Sequence, residues 1–273
     1  MPAAFAASRG YFNAIMQSQM AKQPKLTIKI ITLFPKFIED FVENFGIVRK
    51  AIKNKLLDIK PVYLRKFGLD RRGTVDDRPY GGGVGMVLRA DVLLKAILSA
   101  DPKSQARNSK QIQNPKSRII LLTPQGKKFT QKDAQRLSKY DNLILVCGRY
   151  EGFDERIRKF VDEEISVGDY VLMGGELPAL VISEAVMRLR PGILGKDESS
   201  VGESFTESML EYPQYTKPET LEVRSKNKEV RIKKLRVPRV LFTGHHKNIS
   251  EWRKEESLKR TKKRRGDLIQ NDK

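Results

Sequence analysis

Short unbroken apolar runs alternate along the chain with stretches in which apolar residues recur at helical spacing. Residues 27–33 (TIKIITL) predict a first strand, and Phe34, Phe37, Ile38 and Phe41 around Pro35 predict a helix behind it. Residues 118–122 (RIILL) and 142–147 (NLILVC) are apolar without alternation, the pattern of strands covered on both faces. Residues 90–98 and 131–139 predict helices, the second crossing between those two strands. A short helix over 154–160, a strand-to-loop passage over 166–173 (SVGDYVLM) and a longer helix over 177–189 follow, the last with Leu177, Leu180, Val181, Ala185 and Leu189 on one face. Strands alternating with helices predict an α/β fold built on a mainly parallel sheet.

After Pro191 the texture changes. Gly192, Gly195 and Gly202 among acids and serines mark a linker over 195–202, and residues 203–273 show no strong strand pattern. Asn248 followed by Glu251 resembles a capping box and predicts a helix through about Thr261, so the second domain is expected to be small and helical. Residues 1–26 carry Arg9, Lys22 and Lys25 without an acid or a continuous apolar stretch, which reads as a disordered extension rather than a secretory signal. Residues 101–118 bury almost nothing and read as a long surface loop.

Charge changes the picture. Fifty-three Lys and Arg against 33 Asp and Glu leave +20 on a 273-residue chain that is 39% apolar, a globular composition expected to meet a polyanion. Residues 224–265 hold 17 Lys and Arg against 4 Glu, including RIKKLR at 231–236 and KRTKKRR at 259–265, which points to nucleic acid. No apolar run approaches the roughly 18 residues of a membrane helix, so an integral membrane protein is excluded. With Cys147 the only cysteine, no internal disulfide can form, and the chain reads as cytosolic.

Most familiar chemistries find no support. The cluster Gly81-Gly82-Gly83-Val84-Gly85 lacks the spacing of a dinucleotide or nucleotide loop, leaving a plain turn or backbone approach to another ligand. The two histidines, His245 and His246, are adjacent and ill suited to chelate one ion, and Cys147 ends an apolar run as a small buried residue does. No nucleophile elbow is present. Three segments are instead dense in glycine, charge and aromatics directly after predicted strands: Thr123-Pro124-Gln125-Gly126, Gly148-Arg149-Tyr150-Glu151-Gly152, and residues 167–172 leading to Gly174-Gly175-Glu176. In an open α/β sheet, loops at the carboxyl ends of strands enclose ligands, although ordinary βα turns fit the same facts.

At these residues the sequence resembles the bacterial tRNA (guanine-N1)-methyltransferases of the SPOUT class. The matching strings are TLFP (32–35), TVDDRPYGGGVGM (74–86), TPQGK (123–127), LILVCGRYEGFDER (143–156), SVGDYVLMGGELPA (166–179), PGILG (191–195), ESF (203–205) and YPQYTKPE (212–219). The resemblance implies a deep trefoil knot in the domain 27–194, a basic tRNA-binding domain over 203–273, and a homodimer with the active site at the subunit interface. It also implies S-adenosylmethionine held by Leu122, Thr123 and Pro124; by Gly148, Tyr150, Glu151 and Gly152; and by Val167, Gly168, Asp169, Tyr170, Val171, Leu172, Gly174 and Gly175. The implied substrate is the guanosine immediately 3′ of the anticodon, methylated at N1. That nitrogen carries a proton in neutral guanine, so transfer needs a base while charge builds on O6. Glu203 stands where the family has its basic aspartate, one methylene longer, and Arg188 matches the arginine that would stabilise O6. Val84 replaces a proline, Met173 a serine and Gln214 a histidine. Dependence on Mg²⁺ is implied as well, without a dedicated site in the sequence; an ion held between substrate and carboxylate would leave no motif. A SPOUT enzyme acting on another RNA base or a ribose, and a non-catalytic RNA-binding protein, are the competing readings.

Overall fold

The computed structural model describes residues 25–101, 116–194, 203–205, 208–223 and 233–270. The extension before Lys25, most of the predicted loop 101–118, the linker 195–202 and the first two residues of RIKKLR lie outside them. The chain divides into two compact units, Met1–Asp197 and Glu198–Lys273.

In the first unit, strand β1 (Leu26–Thr32) leads into helices α1 (Pro35–Asn44) and α2 (Gly46–Lys53), then strand β2 (Leu57–Tyr63). A two-stranded hairpin, β3 (Asp76–Asp77) and β4 (Val87–Leu88), precedes helix α3 (Ala90–Ala100). Strand β5 (Ser117–Lys128), helix α4 (Gln131–Leu137), strand β6 (Asn142–Cys147), a 3-10 turn (Glu155–Phe160), strand β7 (Glu163–Ser166) and helix α5 (Glu176–Met187) complete it. The sheet order is β2-β1-β6-β5-β7 and every neighbouring pair is parallel. The α/β expectation is met.

Strand β6 shows why its sequence reads as one apolar run. Leu143, Leu145 and Cys147 pack on the face covered by α1, α2, α4 and α5, while Ile144 and Val146 pack on the face covered by α3. Helix α4 starts on a capping box, with Thr130 accepting from the Asp133 amide and Asp133 answering from the Thr130 amide.

The expected loop Thr123–Gly126 is not a loop after a strand but a bulge inside one. Leu122 and Lys127 both stand opposite Ile165 of β7, so the chain leaves the ladder for four residues and rejoins it at the same partner. Gly126 makes the return possible, because a Cβ there would lie 2.5 Å from the Ile165 nitrogen.

The second unit is not purely helical. Strands β8 (Thr220–Val223) and β9 (Lys233–Arg236) pair antiparallel, so the end of the basic run RIKKLR is a strand. Leu221 faces Leu235, and Lys234 reaches Glu222 at 2.9 Å; these cross-strand pairs, rather than an apolar face, define the ribbon. Helix α6 runs His246–Arg264, starting two residues before the expected Asn248 with His245 at its N-cap and no side-chain cap, and helix α7 (Asp267–Gln270) follows. Among the described residues no helix is long and apolar enough to cross a membrane.

Candidate functional site

Parallel strands carry their carboxyl ends to one edge of the sheet, and there the segments following β6 and β7 meet the bulge of β5 around a cleft of about 370 Å³. Leu122, Thr123, Pro124 and Gln125 line one wall; Gly148 to Phe153 line the second; Ile165 to Gly168, Tyr170 to Gly175 and Pro178 line the third. Of the residues expected to hold a cofactor, all but Asp169 face this cleft. Asp169 turns outward, with its carboxylate 3.1 Å from Lys128 Nζ. Arg149, which the sequence marked only as part of the segment Gly148–Gly152, lines it too, as do Phe153, Glu155 and Arg158, which sequence reasoning passed over.

The walls are tied together from below. Glu176, 3% exposed at the start of α5, accepts from Thr32 Oγ1 at 2.7 Å through one carboxylate oxygen and from Arg149 Nε at 3.2 Å through the other, which also lies 3.0 Å from Arg149 Nη2. The Arg149 guanidinium also lies 4.3 Å from the centre of the Phe34 ring. One ion pair with its carboxylate buried and its guanidinium half-buried therefore links the ends of β1 and β6 to the start of α5. Beside it, Gly175 donates its amide to the Gly148 carbonyl at 3.0 Å, an approach that only glycine allows, since a Cβ would sit 2.7 Å from Cys147 Cα. Tyr150 holds a left-handed φ of 59° in the turn between these walls, a strained conformation of the kind that collects at working sites.

Gly85, the last residue of the glycine cluster, abuts the second wall, where a Cβ would lie 2.5 Å from Glu151 Cγ. Glu151 donates its amide to the Met86 carbonyl at 3.0 Å, and Leu88 donates to the Gly152 carbonyl at 3.0 Å. Cys147 is buried; burial first, and then the Glu176 charge, push its thiol well above its ordinary range, the reverse of an activated nucleophile. Among the described residues no group of three or more His, Cys, Asp or Glu is placed to hold a metal ion.

The family model described as tRNA (Guanine-1)-methyltransferase TrmD matches residues 26–271. The chain belongs to this family. It is 45% identical over 245 residues to the tRNA (guanine-N(1)-)-methyltransferase of Prochlorococcus marinus (strain MIT 9312), a match covering 90% of this chain and 91% of that protein. Identity to the enzyme of the same name from Clostridium botulinum (strain Eklund 17B / Type B) is 43% over 246 residues, covering 90% and 93%. The enzyme of that name from Thermus thermophilus is 43% identical over 240 residues, covering 88% and 90%.

Within the family chain, Arg188 is the C-cap of α5 and does not line the cleft; its amide donates to Glu184. Glu203 is half-buried in the second unit, next to Ser204, whose hydroxyl accepts from the Glu211 amide at 3.0 Å.

Proposed function

We propose that the chain is a cytosolic enzyme that methylates N1 of the guanosine immediately 3′ of the tRNA anticodon, with S-adenosylmethionine as methyl donor. One observation carries the reading: the three walls of the cleft are the segments TPQG, GRYEG and VGDYVLMGG through which the sequence resembles the family.

The cleft fits the donor. Its volume of about 370 Å³ lies in the range of roughly 300–1,000 Å³ usual for small-molecule sites. Glycine at Gly148, Gly152, Gly174 and Gly175 keeps side chains out of the cleft, so that a purine can lie close to backbone, and Leu122, Ile165, Leu172 and Pro178 offer apolar surface to its faces. S-adenosylmethionine supplies an electrophilic methyl on a sulfonium. The Glu203 carboxylate takes the N1 proton, which frees the nitrogen lone pair for the methyl, and the Arg188 guanidinium stabilises negative charge on O6.

The domain 27–194 is read as the knotted S-adenosylmethionine-binding part, joined by 195–202 to a tRNA-binding part over 203–273. Phe34 and Phe37 at the start of α1, with Leu177 and Val181 one turn apart on α5, leave an exposed apolar surface that suits a homodimer. For tRNA, the second unit offers basic residues beside aromatic rings, including Arg253 over Tyr212 at 4.6 Å.

The test is transfer of labelled methyl to tRNA transcripts bearing G or A immediately 3′ of the anticodon, with and without Mg²⁺, and identification of the product by mass spectrometry. N1-methylguanosine in the G transcript alone is the expected result. A 2′-O-methyl product, or none, overturns the reading.

A further inference from the structure

The bulge Thr123–Gly126 forms a whole wall of the cleft yet lacks ladder bonds of its own to β7. Its local supports are few: the Gln125 amide donates to Thr123 Oγ1 at 3.3 Å, and Gly126 crosses Ile165 closely. A side chain from elsewhere completes them. Arg158, in the 3-10 turn, donates from Nη2 to Gln125 Oε1 at 2.7 Å and from Nε to Glu155 Oε2 at 2.8 Å, and its Nη1 contacts Glu164 Oε2 of β7. Each of its three nitrogens is thereby committed to a different segment.

We propose that Arg158 is a positioning residue that sets the donor wall Thr123–Gln125 through the Gln125 side chain. The inference rests on the cleft being the S-adenosylmethionine site. The planar guanidinium is what makes the device work, because two carboxylates aim it and its remaining edge meets a neutral acceptor; a lysine ammonium at the end of a flexible stem is not aimed in this way. Gln125 is chosen over a carboxylate by the same logic, since Glu155 and Glu164 already neutralise the arginine.

Calorimetric titration of the full chain with S-adenosylmethionine, and separately with tRNA, tests this. Arg158→Lys and Gln125→Met are each expected to weaken donor binding about tenfold, the effect of one lost charge-assisted hydrogen bond. Their double variant is expected to lose no more than either alone, because both remove the same bond. Gln125→Glu retains an acceptor oxygen but adds a third carboxylate around one guanidinium, and its donor affinity is expected to fall between those of the parent and Gln125→Met. Affinity for tRNA and the melting temperature stay at parent values. Unchanged donor affinity in Arg158→Lys, or a multiplied loss in the double variant, overturns the proposal. So does loss of tRNA affinity and melting temperature alongside donor affinity, which would mark Arg158 as merely structural. Leu172→Arg, which fills the cleft directly, separates the two levels. If it abolishes donor binding while Arg158→Lys does not, only the positioning role fails; if it binds donor normally, the cleft reading fails and the proposal with it.

Discussion

In the first unit β1 and β6 bury Ile28, Ile30, Ile31 and Leu143 to Val146 against helices on both sheet faces, whereas the 19-residue helix α6 of the second unit fully buries only Ser257 and Thr261. Those two side chains are used for bonding. Thr261 Oγ1 accepts from the Leu210 amide at 2.9 Å, and the Ser257 hydroxyl donates to the Leu210 carbonyl. Around them Arg253 lies over Tyr212 and Arg265 over Phe205. The first unit thus draws its stability from non-directional apolar burial, which holds a preformed cleft, and the second from a few directional polar contacts that leave its charge on the surface. Precision for a small molecule and adaptability to a polyanion call for these different interiors.

Four measurements would break or sharpen that contrast. Glu203→Gln should lower kcat by about 10²–10⁴, the range for losing a general base, with the melting temperature unchanged; single-turnover methyl transfer beside a thermal melt decides it. Leu145→Ala should do the reverse, costing about 2–5 kcal/mol in urea unfolding because it opens a cavity between sheet and helices. If it costs under about 1 kcal/mol, apolar burial is not what holds this unit.

The third measurement uses acid. Burial alone would raise the Asp133 carboxyl, but bonds from Thr130, Lys127 and Arg136 outweigh it and hold it low. Burial likewise opposes the bonds from Arg136 and Arg118 to Glu163, and again the bonds prevail. Both folded values lie below the unfolded ones, so this stabilisation is complete above about pH 5 and drains away as the pH falls through the depressed values. Urea midpoints measured between pH 7 and pH 3 should therefore fall, and Glu163→Gln should flatten the decline; parallel curves would refute the assignment. The smallest effect belongs to the ribbon, where Leu221→Ala, opposite Leu235 and half exposed on both sides, should cost less than about 1 kcal/mol.

What the sequence showed and what it hid follows from where the information lies. Strands β1 and β6 are legible because both their faces are covered, and the cleft walls because glycine must stand where backbone approaches backbone. Strand β2 escapes notice: it is an edge strand, LDIKPVY, carrying Pro61 and burying only Leu57 and Ile59 fully, so its apolar run is broken. Strand β9 escapes because KKLR is specified by its partner strand and not by its own pattern. In one dimension Arg149, although it stands in a marked segment, shows no partner there, and Arg158 looks like an ordinary surface charge. Their acceptors, Glu176 and Gln125, lie 27 and 33 residues away, a relation only the folded sheet creates.

The solitary cysteine gives the molecule a built-in clock. Cys147 is the chain's only thiol, it ends the central strand β6 without exposure, and its surroundings keep it protonated. A maleimide in solution can reach it only when the sheet opens, so the rate of alkylation in native buffer counts those openings with no engineered label. Because Cys147 lies directly beneath the Gly148–Gly175 contact at the floor of the cleft, a ligand that seals the cleft should slow the count in proportion to its grip.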